Sequence, residues 1–488
     1  MFSKATNNSI SSSFRDPSGL LFTEKRMLFR SVSHRYQQHY DYLIQSGLYD
    51  KLIENKLLIP HEEVNPGTIE HYPGNREDIY KIIRPEHVPF ISYPYEWCFS
   101  QLKDAALTTL KIQKHAVDHG MVLKDASTYN IQFYKGSPLI IDTLSFEIYV
   151  ENQSWVAYRQ FCQHFLAPLS LMASLDIRLG QLMRVYIDGI PLDLASVLLP
   201  KMSWLNFGLL THIHLHAKAQ KRYEKTKAKN EGLHPAEIGD RTHFRTPDLS
   251  NRKVSKTALL GIIDTLETSI NKMNWRPAGT EWAEYYEDTN YSHEAMNHKK
   301  QLVKIYLSES RQHNVWDLGA NTGVFSRIAT AKDIDTIAFD VDPSAVEKNY
   351  RQMQENNETK ILPLCLDLTN PSPSIGWANE ERYSLIERGP ADTVLALALI
   401  HHLAISNNLP FSHIAIFLSR LCRFLIIEFV PKDDSQVQRM LSTRQDIFYH
   451  YTQDNFEASF QNHFSILKCE KIVDTQRTIY LMGKKNAN

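Results

Sequence analysis

Beyond about residue 313 the apolar residues gather in short, nearly continuous runs: "NVWDLG", "TIAFDV", "ILPLCLDL", "DTVLALAL" and "FLIIEFV". Runs of this length, rich in Val, Ile and Leu, read as strands buried on both faces. The stretches between them have helical spacing. Such alternation predicts a doubly wound α/β sheet, mainly parallel, with helices on both faces. A sheet of that kind binds ligands beyond the carboxyl ends of its strands, where the strand order reverses. "FSILKCEKIV" and "RTIYLMGKK" close the chain as a predicted antiparallel pair.

The first half has a different rhythm. Short β-like pieces ("GLLFTEKRMLFRSV") precede a helical stretch ("YQQHYDYLIQSGLYDKLIENKLL") and a further β-like piece, "HVPFISYPYEW". A long amphipathic helix, "CFSQLKDAALTTLKIQKHAVDHG", follows, with Gly120 placed to end it. "YNIQFYKGSPLIIDTLSF" reads as a hairpin turning near Lys135–Gly136, and helices dominate from Trp155 onward. This half is α+β.

Composition sets the outer limits. A chain of 488 residues exceeds one hydrophobic core, so several domains are expected. Hydrophobic content of 43%, charged content of 22% and a formal charge of −1 describe an ordinary globular chain, without a global pull toward nucleic acid or anionic membrane. Residues 217–257 carry 11 Lys/Arg against 5 Asp/Glu and few large apolar groups, the composition of a basic linker. The expected division is an α+β domain over 1–216, the linker over 217–257, a helical lead-in or lid over 258–300, and the α/β domain over 301–488. The 5 cysteines are scattered without a CxxC pair, and no apolar run nears the roughly 20 residues of a membrane span. The N-terminal stretch has no signal-type apolar core, so a cytoplasmic setting is expected.

The candidate chemistry of the second half starts at Asp317-Leu-Gly319-Ala-Asn321-Thr-Gly323, at the end of the first strand. Gly319 permits a tight turn, and Gly323 lets the next helix pack closely with free N–H groups toward a ligand. Alone, two glycines at a strand-to-helix corner are weak evidence. Asp340 closes the second strand about twenty residues on, where a carboxylate accepts hydrogen bonds from ribose hydroxyls. Asp367 closes the third, within reach of an adenine. The turn reads G-A-N-T-G and lacks the GxGxxG of a dinucleotide site, so a nicotinamide cofactor is disfavoured.

With these positions, residues 282–485 resemble the class I S-adenosylmethionine-dependent methyltransferases. The resemblance implies a Rossmann-like, seven-stranded sheet with its last strand antiparallel, and S-adenosylmethionine as cofactor. It places Asp317, Gly319, Asn321 and Gly323 on the methionine side, Asp340 at the ribose, and Asp367 with Leu368 at the adenine. Asn321 stands where the family usually has glycine, a tolerable exchange because Asn also adopts left-handed backbone angles. Trp377 is either a stacking partner or a core tryptophan. His401 or His402, in "LIHHLAI", is placed to act as a general base on an acceptor, unless the pair merely packs. Glu428 is a second candidate for acceptor binding, and Tyr291, in "TEWAEYYEDTNYS", the expected contact of a lid. The acceptor expected is a small molecule or glycan, then a protein; nucleic acid is disfavoured because no recognition module is visible.

In the first half Asp125, Asn130 and Asp142 follow the order of the catalytic base and magnesium ligands of protein kinases and aminoglycoside-type phosphotransferases, which they resemble. That resemblance implies a kinase-like domain with ATP and magnesium as ligands, "ISYPYEW" as hinge and "SFRDPSGLLF" as phosphate loop. Departures stand beside it. The loop has the single glycine Gly19, Arg30 takes the place of the strand lysine, and Lys124 precedes the Asp. An α+β binding domain in which Asp125 and Asn130 stabilise a turn is the competing expectation, as is a protein with both folds retired. The combination of halves loosely resembles bacterial methyltransferases of rhizobial nodulation host specificity. "HIHLHAK" places His212 and His216 one helical turn apart, but with no carboxylate nearby a solvated helix face is expected and no metal site.

Overall fold

The computed structural model describes residues 10, 13–222, 254–277, 291–310 and 313–485. Most of the predicted linker (223–253) and lid (280–290) lies outside the described residues. The chain divides into two compact units, one reaching Arg276 and the other running from Pro277 to Asn488.

In the first unit β1 (Leu21–Glu24), β2 (Met27–Ser33), β3 (His61–Val64) and β4 (Ile79–Pro85) form an antiparallel sheet in the order β1-β2-β4-β3. Phe22, Phe29, Ile69 and Ile82 are packed together as one of its cores. "HVPFISYPYEW" is not a strand: Pro89 and Pro94 have no N–H to give a ladder, and the strand is β4 just before it. The helix Phe99–Asp118 opens where the Gln101 side chain accepts the Cys98 N–H at 2.9 Å, and Gly120 follows its end with φ of 73°. Beyond it come β5 (Met121–Leu123) and a hairpin of β6 (Ile131–Tyr134) and β7 (Ser137–Ile140), turned at Lys135–Gly136. β8 (Phe146–Ile148) pairs back onto β5.

The boundary expected at 258 is displaced. The helix Lys256–Lys272 packs in the first unit, burying Leu259, Ile263, Leu266 and Ile270. Lys114 of the long helix pairs with its Asp264 and Glu267 at 2.8 and 2.5 Å. An apolar stripe of three-to-four spacing shows that a helix must be covered, but not by which domain.

The second unit holds seven strands: β9 (Asn314–Leu318), β10 (Asp335–Asp340), β11 (Ile361–Cys365), β12 (Ala391–Ala396), β13 (Cys422–Phe429), β14 (Phe464–Lys471) and β15 (Thr478–Lys484). Their order is β11-β10-β9-β12-β13-β15-β14; the first five are parallel, and β15 runs antiparallel to both β13 and β14. The order reverses at β9, between β10 and β12. Leu302, Val303, Tyr306 and Leu307 of the helix His293–Glu309 pack with Val315, Leu395 and Ile426 of the strands. Trp316 meets Phe339 edge-on at 5.7 Å. Phe339 is fully buried, and Phe339→Ala is expected to cost about 3–5 kcal/mol. Chemical denaturation followed by tryptophan fluorescence measures this loss, with an unchanged midpoint as the contrary result.

Candidate active site

Register sets the carboxyl ends of the parallel strands side by side: Leu318 pairs with Phe339, Asp340 with Cys365, Asp317 with Leu395, and Ala396 with Ile427. The turn after β9 lies at the point of reversal. Gly319, Asn321 and Gly323 all have positive φ (74°, 51° and 81°), the left-handed region that glycine and asparagine tolerate. A Cβ at Gly323 would stand 2.7 Å from Arg327 and Asn349, so this position is closed by packing. Arg327 donates to the Thr322 carbonyl and to Asn349 and forms two bonds to Glu358, which braces the turn from behind. The Gly323 N–H is spent on the Ala320 carbonyl, and the next helix starts only at Ser326, so the expected N–H cradle at Gly323 is not what this turn offers.

Two buried carboxyls organise the turn. Asp317 accepts the Ser326 hydroxyl at 2.7 Å. Asp340 accepts the Asn321 N–H at 2.7 Å and the Asp342 N–H at 2.9 Å, which ties the ends of β9 and β10 together. Burial, opposed by the Ser326 hydroxyl and reinforced by the Asp340 charge, pushes the Asp317 carboxyl up to about 7. Burial likewise pushes Asp340 up to about 6, against the N–H groups of Asp342 and Asn321. Between Asp340 and Asp342, Val341 is 59% exposed, an apolar side chain standing at the strand end. Sequence reasoning missed it, although its place directly after a strand-end acid was a usable signal.

Asp367 is exposed and accepts the N–H and hydroxyl of Thr369 at 2.8 and 2.7 Å, with half-buried Leu368 between them. Trp377 is 71% exposed, so the core placement is corrected; it stands between left-handed residues, Gly376 before it and Ala378 and Asn379 after it.

The turn after β12 carries His401 and His402, with ring centres 4.2 Å apart. Both imidazoles stay neutral. Burial, with the other histidine and the Arg477 and Lys299 cations, holds His401 far below its ordinary value, and burial with Arg477 takes His402 down to about 4. His401 Nδ1 is buried without a hydrogen-bond partner among the described residues.

Glu428, at the end of β13, is fully buried. Its carboxylate accepts Lys299 Nζ at 2.6 Å, the Ala398 N–H at 2.8 Å, Arg477 at 3.5 Å and the Tyr291 hydroxyl. Arg477 also grips Asp434 at 2.7 and 3.0 Å and lies over the Tyr291 ring. Burial alone would raise the Glu428 pKa, but Lys299 and Arg477 outweigh it and hold the group below the usual carboxylate value. Glu428 and Tyr291 were expected to meet acceptor and cofactor; they meet each other, in a knot that holds the His401–His402 turn through Ala398. Lys299, Asp434 and Arg477 were missed, because nothing in sequence spacing links positions so far apart.

In the first unit Asp125 accepts the Ser127 N–H and the Gln160 amide at 2.9 and 2.8 Å. Asn130 donates to Ser145, whose hydroxyl donates to Asp142. Asp142 and Asp16 flank the Arg30 guanidinium at 3.1 and 2.5 Å. Lys124 reaches the Ser18 hydroxyl at 2.5 Å. A Cβ on Gly19 would stand 1.8 Å from the Ser31 carbonyl oxygen, so this glycine serves a close approach of β2. The helix-face expectation at residues 212–216 is corrected. His212 and His214 are buried in a wide-turned helix, His212 between Tyr158 and Thr265, His214 between Ser196 and Ser203. Every described nitrogen of these two rings has a hydroxyl partner.

A seven-stranded sheet that reverses at β9, ends in an antiparallel hairpin strand, and sets a left-handed glycine turn beside acid-ended strands defines the second unit as a class I S-adenosylmethionine-dependent methyltransferase fold. No family model matches the chain. Along nearly its whole length it is similar to the nodulation protein NoeA of Rhizobium meliloti (strain 1021), with 32% identity over 473 residues, 96% of this chain and 95% of the relative. The chain belongs to the NoeA family. Solved structures similar in part include the magnesium protoporphyrin IX methyltransferase ChlM of Synechocystis PCC 6803 (18% identity, 42% of this chain and 93% of that one, TM-score 0.30). The N-methyltransferase NodS of Bradyrhizobium japonicum WM9 (10%, 40% and 99%, TM-score 0.28) and the bifunctional kinase-methyltransferase WbdD (16%, 41% and 41%, TM-score 0.28) are others.

The raised carboxyls have a pH signature. Folded Asp317 and Asp340 keep protons that an unfolded chain gives up near pH 4, so the stability they contribute is full below that value and lost as pH rises through about 6 and about 7. A melting temperature that falls between about pH 5 and pH 8, with a shallower fall in Asp317→Asn, is expected from scanning calorimetry.

Proposed function

We propose that the second unit transfers a methyl group from S-adenosylmethionine to a small-molecule or glycan acceptor, with a protein acceptor as the next choice. The observation that carries this reading is the pair of buried acids, Asp317 and Asp340, against a left-handed turn at the point of strand reversal. Such a set of acceptors suits a ligand that brings its own hydroxyls and positive charge. Asp340 keeps acceptor capacity for ribose hydroxyls after its two N–H bonds, because each carboxylate oxygen has two lone pairs. Exposed Val341 offers an apolar flank for a purine, and Asp367 with Leu368 forms the next strand end. S-adenosylmethionine, when bound, supplies a methyl group on a sulfonium that is its own leaving group. What remains for the chain is to align the acceptor and exclude water.

His401 and His402 are neutral near pH 7, and a group with a pKa of about 4 is a weak base. The pair is therefore suited to orienting an acceptor hydroxyl or amine by hydrogen bonding, with half-buried His402 as the ring that can reach it and buried His401 packed behind it. Titration calorimetry with S-adenosylhomocysteine tests the cofactor site. Binding is expected for the full chain, weakened at least about tenfold in Asp340→Ala and unchanged in His402→Asn. No binding by the natural chain, or equal binding by Asp340→Ala, sinks the reading. Methyl transfer from labelled cofactor into fractionated lysate then identifies the acceptor class.

For the first unit the reading is acceptor selection or presentation by a kinase-like domain that no longer transfers phosphate. The favouring observation is Arg30, whose guanidinium pairs with Asp142, the acid that the kinase resemblance assigns to magnesium, and with Asp16. Thermal shift with ATP and magnesium is expected to show no change. A shift that Asp142→Ala abolishes would instead establish a working nucleotide site.

A further inference from the structure

One surface of the first unit is built against the usual rule. The helix Leu192–Leu198, the short turn Lys201–Leu205 and the helix Phe207–Leu209 bury Leu192, Ala195, Leu199 and Leu209. The large apolar side chains between them face out: Val197 is 77% exposed, Met202 71%, Leu205 79% and Phe207 69%. A single exposed leucine is ordinary, but such a group within residues 197–207 marks an interaction surface. The platform beneath is firm. Trp204 stacks on His214 at 4.2 Å, with Lys218 Nζ 4.4 Å over its ring.

Charge narrows the partner. No Asp or Glu occurs from 194 to 222, whereas Lys201, Lys218, Lys221 and Arg222 do, all exposed. Lys221 reaches Asp193 at 3.2 Å, the acid at the edge of this stretch. The net charge of −1 for the whole chain therefore conceals a local cationic, acid-free segment. Surface charges act over roughly a Debye length of 8–10 Å, so the local balance decides what approaches. A second copy of the chain would set this cationic rim against itself, which costs energy. An anionic lipid surface complements both parts: headgroups attract the lysines, and the acyl boundary takes the apolar side chains. No helix among the described residues is long and apolar enough to cross a membrane, so the contact is with a bilayer face.

We propose that residues 197–207, with the basic stretch 218–222, form a peripheral docking surface for an anionic bilayer. The reading is independent of the methyl-transfer assignment. It is tested by sedimenting the full chain with vesicles of phosphatidylcholine alone and of phosphatidylcholine with phosphatidylglycerol. The chain should partition onto the anionic vesicles and be released by salt. Leu205→Ser with Phe207→Ser should weaken that binding about tenfold or more, and Lys201→Glu with Lys218→Glu should remove the preference for phosphatidylglycerol. Circular dichroism and S-adenosylhomocysteine binding are expected to stay unchanged, because the substituted side chains are exposed. The proposal is overturned by absence of binding to anionic vesicles, by equal binding to both kinds, or by full binding in the charge-reversed variant. It is equally overturned if the natural chain is a dimer in sedimentation velocity that Leu205→Ser with Phe207→Ser dissociates, since the surface would then be a protein interface.

Discussion

The site of the second unit depends on one buried carboxylate. Glu428 ends β13 with no exposure, an expensive place for a charge unless it is paired. It is paired several times, by Lys299, Arg477, the Ala398 N–H and the Tyr291 hydroxyl. Removing one partner of such a group costs about 3–5 kcal/mol, because the remaining charge is stranded. The knot joins the helix His293–Glu309, the ends of β12 and β13, and the β14–β15 hairpin. Through Ala398, whose φ is 49°, it holds a left-handed turn that a non-glycine residue adopts only when its surroundings compel it. His401 and His402 follow that turn directly.

The same economy governs the proposed cofactor side. Asp317 and Asp340 hold backbone and hydroxyl groups of the chain while lying at the point of strand reversal. A carboxylate that fastens two strand ends is already oriented, so a ligand meeting its free lone pairs meets a preorganised acceptor. Arg327, Asn349 and Glu358 brace the turn from the opposite side.

The first unit shows how far a local pattern can be followed. Its long helix, the Lys135–Gly136 hairpin and the first two strands were legible because each depends on spacing and turn chemistry. "HVPFISYPYEW" misled because its aromatic residues have strand character while Pro89 and Pro94 deny it a ladder; Phe90 and residues 92–97 are buried, partly as the short turn Pro94–Glu96, and His87, Pro89 and Ile91 are exposed. His212 and His216 misled in the other direction. The widened helix over Leu210–Leu215 shifts the helical period, so that residues read as a solvated face turn inward. Arg30 was noticed as a departure from a kinase-like pattern, but its position between Asp16 and Asp142 brings together three segments that no periodicity relates.

By itself the sequence determined the alternation of strand and helix, the parallel sheet with its antiparallel finish, the left-handed glycine turn, and the acids at three successive strand ends. These are short-range properties, set by side-chain period, β-branching and the few residues that tolerate positive φ. Which of those acids are buried and bonded to the fold, as Asp317 and Asp340 are, and which stays exposed, as Asp367 does, was decided only in three dimensions. So were the neutrality of the two histidines, the enclosure of Glu428 by Lys299 and Arg477, and the attachment of the helix Lys256–Lys272 to the first unit. Burial and charge pairing depend on what the folded chain brings within a few ångströms, and the segments concerned lie tens to more than a hundred residues apart.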